Sequence, residues 1–275
     1  MSIIEGRLEA AKLFDDHQEA SSICRSSLPM QALTMKKTVI MFDLGGTLVQ
    51  YYERSEFPTV LEQCVAEVES FLGGKGLLSL PPDIVRAKVR EEDHESSDNR
   101  SKPLEERLTR IFGIDASVRT DKLLMETCRH FMKPVFARAH CYEDTLLALR
   151  EVRSRGLRAA IVSNTSWGSP ASLWREEIRR HRLDEYVTAI VFDRDVGWRK
   201  PAKEIFNFAL ERLRAHPREC VFVGDEPKWD LDGPRSVGID PILIDRRQHN
   251  LAIGAQAIAE LSQLIPRLDN LYFTF

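Results

Sequence analysis

Residues 38–42 (TVIMF) are a compact β-branched and apolar run that ends at Asp43 and a glycine pair, the pattern of a buried parallel strand emptying into a tight loop. The pattern recurs. Residues 157–162 end at Ser163-Asn164, 189–192 form a shorter run, 220–223 end at Gly224-Asp225, and 241–244 close the series. Between these runs, 144–155, 170–182 and 204–213 space their apolar residues as amphipathic helices do. Parallel strands need crossover connections, so the alternation predicts an α/β fold: a parallel sheet with helices on both faces. Ligands of open sheets collect beyond the carboxyl ends of the strands. Asp43, Ser163 and Asp225 all fall there.

Residues 51–140 break the alternation with helix-like stretches at 60–72, 82–91, 104–112 and 121–131. The expected division is an N-terminal appendage at 1–34, a core at 35–50 and 141–275, and an inserted helical domain at 51–140. In the appendage, Ile4, Leu8, Ala11 and Phe14 share one side of a helix. Residues 92–103 (EDHESSDNRSKP) are strongly polar and predict a mobile loop inside the insert.

Charge and cysteine content narrow the partners and the compartment. With 39 basic and 42 acidic residues the net charge is only -3, so no global field recruits nucleic acid or an anionic membrane. Neither is expected as a partner, and the oligomeric state stays open. Cys24, Cys64, Cys128, Cys141 and Cys220 lack the CxxC spacing of a zinc or redox site, which fits reduced thiols in a cytoplasmic protein. The start of the chain, with Glu5, Glu9, Asp15 and Asp16, is too acidic for a transit peptide. No apolar run is long enough to span a bilayer.

The strand ends carry chemistry-bearing residue types. A carboxylate such as Asp43 can attack phosphorus, replacing one difficult hydrolysis by two easier displacements. Gly45 and Gly46 let the backbone from Leu44 onward curl so that its N–H groups point at phosphate oxygens, and the Thr47 hydroxyl can steady that turn. Ser163, the Asn164 amide and the Lys200 ammonium supply further donors where phosphoryl charge must be held. Asp43 and Asp225 beside an incoming phosphate need a hard cation between them, and Mg²⁺ prefers such oxygen ligands. The stretch 163–170 (SNTSWGSP) is longer in polar and turn residues than a strand-to-helix join requires, which singles out Trp167 as a substrate contact.

Four pieces therefore stand in order: Asp43-Leu44-Gly45-Gly46-Thr47, Ser163-Asn164, Lys200-Pro201, and Gly224-Asp225 followed by Asp230. Together they resemble the four motifs of the haloacid dehalogenase superfamily. The likeness continues through Val196-Gly197-Trp198-Arg199 into Glu204-Ile205-Phe206, and from Asp230-Leu231-Asp232-Gly233 toward Val237-Gly238-Ile239; it covers about residues 36–245. The resemblance implies a Rossmann-like parallel sheet core with an inserted helical C1 cap domain at 51–140. It also implies a Mg²⁺-dependent phosphohydrolase that works on a small phosphorylated metabolite through an aspartyl phosphate on Asp43. Ser163 and Lys200 would be its catalytic partners, with Leu44, Gly45, Gly46, Thr47 and Asn164 around the phosphate. For the metal it implies Asp43 and Asp225 as direct ligands, with the Gly45 carbonyl, and an indirect contact from Asp230 or Glu226.

One position departs from the pattern. Phosphatases of the superfamily usually carry a second aspartate two residues after the nucleophile as general acid and base, and here that position is Gly45. Positioned proton transfer is typically worth ~10²–10⁴-fold in rate. Three readings follow: a phosphohydrolase suited to good leaving groups such as diphosphates; a dehalogenase-like or phosphonatase-like hydrolase, branches that also lack this aspartate; or a weakly active or non-enzymatic member that binds a ligand or partner. The Asp225 and Asp230 pair favours the first, since dehalogenases do not keep those acids.

Overall fold

A computed structural model of the chain describes residues 36–92, 97–246 and 257–272, so the helix expected within the 1–34 appendage lies outside the described residues. Strands β1 (Val39–Phe42), β4 (Arg158–Ser163), β5 (Ala189–Phe192), β6 (Cys220–Gly224) and β7 (Asp240–Ile244) form where the five apolar runs predict them. A sixth, β8 (Ala257–Ile258), is too short to show a period of its own. All are parallel, in the order β5-β4-β1-β6-β7-β8. The fold is α/β with a six-stranded parallel sheet between helices.

The crossovers run through α5 (Thr145–Ser154), α6 (Ala171–Arg180), the one-turn α7 (Asp193–Val196), α8 (Lys203–Leu213) and the short α9 (Gly233–Arg235), and the terminal α10 (Leu264–Tyr272) follows β8. Strand pleat explains the two layers. In β1, Ile40 and Phe42 join an apolar cluster with Leu149 of α5, Leu173 of α6 and Leu268 of α10, while Val39 and Met41 join a second with Ile205 and Phe206 of α8. All four β1 side chains are buried, each contributing roughly 1.5–3 kcal/mol. β1 lies between β4 and β6, with Phe42 level with Ile161 and Val223. That register brings the residues after all three strands to one edge.

The segment between β1 and α5 contains α1 (Phe57–Gly74), α2 (Pro82–Glu91), α3 (Leu104–Phe112) and α4 (Asp121–Ala137). A two-residue antiparallel ribbon holds its ends together: β2 (Val49–Gln50) on β3 (His140–Cys141), with Val49 opposite Cys141. α4 runs beyond the expected stop at residue 131 and carries Pro134 inside it. A proline there costs ~3 kcal/mol, but Phe131, Met132 and Val135 are buried with Val65, Val68 and Leu72 of α1, and that packing outweighs the lost hydrogen bond.

The polar stretch 92–103 also departs from expectation. Its described part is not a free loop: the Ser101 amide donates to the Gly197 carbonyl at 3.0 Å and the Arg199 amide to the Asn99 carbonyl at 2.8 Å. Polarity alone does not distinguish a solvated loop from one that bonds to another loop. Among the described residues no helix is long and apolar enough to cross a membrane.

Candidate active site

Asp43 is the first residue after β1, and its amide donates to the Val223 carbonyl at 2.9 Å, which continues the β1–β6 ladder one step past the strand. The chain then turns back: the Leu48 and Val49 amides both donate to the Leu44 carbonyl at 2.9 Å, and the Gly46 amide donates to Val49. The turn is braced from outside by Arg246, which donates to the Thr47 carbonyl at 2.8 Å while gripping both Asp144 oxygens at 3.0 Å. The Leu44 side chain is buried in the core, so any contact it makes with a ligand must come through its backbone.

Gly46 has no freedom to be anything else. Its φ is +76°, and a Cβ there would lie 2.2 Å from Asp225 Oδ2. The Asp225 carboxylate therefore rests directly on the turn, with the Thr47 hydroxyl 3.4 Å from its Oδ1. Gly46→Ala is expected to displace that carboxylate and to add roughly 1–2 kcal/mol of left-handed strain. A parent-like melting temperature in the variant would contradict this placement.

Lys200 crosses the cluster. The residue is 2% exposed, and its ammonium donates to Asp43 Oδ1 at 2.7 Å and to Asp230 Oδ1 at 2.6 Å. Asn164, just past β4, holds the Lys200 backbone from both sides: its Oδ1 accepts from the Lys200 amide at 2.8 Å and its Nδ2 donates to the Lys200 carbonyl at 3.3 Å. Sequence reasoning assigns Asn164 only a backbone amide; the side-chain brace becomes visible once β4 and the loop before α8 are neighbours. Ser163, at the end of β4, is buried, with its hydroxyl directed to the Asn164 carbonyl at 3.3 Å.

Asp230 sits in a π-helical turn (Lys228–Asp232), fully buried against Gly224. Its Oδ2 accepts from the Glu226 amide at 3.0 Å, so both of its oxygens are engaged. Asp43, Asp225 and Asp230 each offer an oxygen within 4.8 Å of the others. When all three are ionised, the Lys200 ammonium leaves the cluster with two uncompensated negative charges, the deficit a divalent ion of hard oxygen preference fills.

The electrostatics record this crowding. Burial and then the charges of Asp43 and Asp230 push the Asp225 carboxyl well above the ordinary range. Burial lifts Asp230 to about 6 against the pull of Lys200. Burial would lower the Lys200 ammonium, but Asp230 and Asp43 prevail and hold it above the usual lysine value.

Gly45 faces a different neighbour. A Cβ at this position would lie 3.5 Å from Cδ2 and 3.7 Å from Cε2 of the Tyr51 ring, an ordinary contact. Tyr51 is buried against Trp174 and Phe136, and its hydroxyl has no hydrogen-bond partner among the described residues. Burial first, then Glu177, Cys141 and Asp43, hold its phenol well above the usual tyrosine value. No spacing rule in the sequence picks it out. Trp167 packs on Phe131 of α4 with ring centroids 5.3 Å apart, and the Arg107 guanidinium lies over its ring at 5.1 Å.

The family model described as haloacid dehalogenase-like hydrolase matches residues 37–238. Human haloacid dehalogenase-like hydrolase domain-containing protein 3 is 33% identical over 133 residues, covering 46% of this chain and 50% of that protein. The phosphoserine phosphatase of Thermus thermophilus is 32% identical over 105 residues, covering 38% and 41%. The chain thus spans about half the length of the curated relatives it matches or less. A solved HAD phosphatase from Thermococcus onnurineus superposes with a TM-score of 0.58 at 23% identity, covering 85% of this chain and 98% of that one.

Proposed function

The chain belongs to the haloacid dehalogenase-like hydrolase family, and from that premise we propose that it is a Mg²⁺-dependent phosphohydrolase of small phosphorylated metabolites, working through an aspartyl phosphate on Asp43. The observation that carries the reading is the buried cluster in which Lys200 joins Asp43 to Asp230 while Asp225 stands within reach of both acids. Phosphatases among the relatives support the reaction class. In this reading α1 to α4 form the cap over the site.

Asp43 attacks phosphorus, the bond to the leaving oxygen breaks with its electron pair, and the phosphoryl group stays on the carboxylate. Lys200 keeps Asp43 oriented, and the turn from Leu44 to Thr47, whose Gly46 amide closes on Val49, presents its other amides to the phosphate with Ser163 and Asn164 opposite. Asp43, Asp225 and the Gly45 carbonyl would hold the Mg²⁺, with Asp230 behind them. Bound there, the ion would offset charge on the transferring phosphoryl group. Gly45 brings no acid to the leaving oxygen, so substrates whose leaving group needs little protonation turn over best: diphosphates, acyl phosphates and aryl phosphates.

The test is phosphate release from a panel of these compounds and of alkyl phosphates, with Mg²⁺ and with chelator. Release that requires Mg²⁺ and favours the better leaving groups is the expected result; no release from any of them would end the proposal.

Metal binding has a pH signature. The raised carboxyls of Asp225 and Asp230 mean that the metal-free fold loses stability from these groups as pH climbs from the unfolded carboxylate range through their folded values. Mg²⁺ needs the ionised forms and removes that penalty. At about a hundredfold excess over Kd it should raise Tm by about 5–10 °C near pH 7.5 and by clearly less near pH 5. Equal shifts at both pH values would count against these two acids as the binding groups.

A further inference from the structure

Asp193 follows β5, where the sequence shows only one more charge in an acidic and basic stretch, yet it is completely buried. One carboxylate oxygen accepts the Thr165 amide at 2.7 Å; the other accepts the Ser101 hydroxyl at 2.6 Å. Its own carbonyl takes the Gly197 amide at 2.7 Å, which closes the turn of α7 before Lys200. Three segments meet on this residue: the turn that follows Ser163 at the end of β4 and carries Asn164, the loop that leads to Lys200, and the polar strap between α2 and α3.

Residues 99–102 of the strap are seated on the core loops. Besides the Ser101 and Arg199 amide bonds described above, the Arg100 guanidinium lies 3.7 Å from the centre of the Trp198 ring. A Cβ on Gly168 would fall 1.9 Å from the Lys102 carbonyl oxygen, so the strap backbone rests directly on the loop after β4. Next to it, Arg194 of α7 pairs with both oxygens of Glu105 in α3, at 2.9 and 3.1 Å. Burying a carboxylate is costly unless donors compensate it, and here one donor comes from the strap.

We propose that Asp193 is a positioning residue that couples the strap to the catalytic loops, because the oxygen that grips Ser101 and the oxygen that fixes Thr165 belong to one rigid carboxylate. With Ser101 in place, the carboxylate is locked and so is the Thr165 amide, two residues beyond Ser163. Asn164, between them, passes that constraint to the Lys200 backbone. Seating of the helical segment thereby sets the geometry of the loops that face Asp43.

The activity arm of the test rests on the phosphohydrolase reading; the exchange arm does not. Amide hydrogen exchange would be followed in the full chain for the parent, Ser101→Ala and Ser101→Thr, beside Mg²⁺-dependent hydrolysis of p-nitrophenyl phosphate. Ser101→Ala should lower protection at Ser101, Arg199 and Thr165 together by about tenfold or more, leave α8 protected, and lower kcat by about tenfold with a smaller change in KM. Ser101→Thr, which keeps the hydroxyl, should bring exchange and kcat back. Loss of protection at Ser101 and Arg199 with Thr165 unchanged would overturn the coupling, as would parent-like exchange and kcat in Ser101→Ala. If the parent itself releases no phosphate, the phosphohydrolase reading fails and the Thr165 exchange result alone decides the coupling.

Discussion

Gly45→Asp is expected to raise the rate of phosphate release from alkyl phosphates by ~10²–10⁴-fold while leaving aryl and acyl phosphates far less affected. The substitution places a carboxyl group two residues past Asp43, the proposed nucleophile, where it would protonate a basic leaving oxygen and then take a proton from the attacking water. The site has room for its first atom, since a Cβ at 45 meets only the Tyr51 ring at van der Waals distance and the backbone there needs no left-handed φ. Steady-state rates on matched alkyl and aryl esters, with Mg²⁺ saturation verified by thermal shift, measure the effect. A folded, Mg²⁺-binding variant without any gain on alkyl esters would show that the site lacks more than its acid.

Asp43→Asn should remove turnover by about 10⁴-fold or more on every substrate, because an amide oxygen is no nucleophile toward phosphorus and the other groups act as one unit around it. The same change removes one of the two carboxylates that hold Lys200, leaving Asp230 as its partner. The fold should survive, since the ammonium stays paired and one like charge disappears from beside Asp225 and Asp230. Phosphate release above a few per cent of the parent, from protein free of parent enzyme, would assign the nucleophile elsewhere.

The order of strands and helices was legible because it rests on periodicity: β1, β4, β5, β6 and β7 are short apolar runs between amphipathic helices. Asp43, Ser163 and Asp225 could be grouped because each stands at a strand end, and Lys200 joined them through the Lys200-Pro201 motif of the family resemblance. Other features escaped for physical reasons. β8 is a two-residue strand, below the length at which alternation exists. α4 passes through Pro134 because α1 covers its apolar face, a tertiary term that local propensity does not include. Asp193 reads as a surface charge until Ser101 and Thr165 arrive to satisfy it.

What the amino-acid order determined by itself is therefore the α/β alternation and the helical stretches that interrupt it between β1 and α5, both of them properties of residue type and spacing along the chain. Only the tertiary structure decided that Lys200 bridges Asp43 and Asp230, that Tyr51 packs beside Gly45, and that the strap at 99–103 is bonded to the loop before Lys200. Those facts depend on which groups are brought together and taken out of water, and a charge or a phenol acquires its partners, its ionisation and its constraint only when burial makes each unpaired polar atom costly.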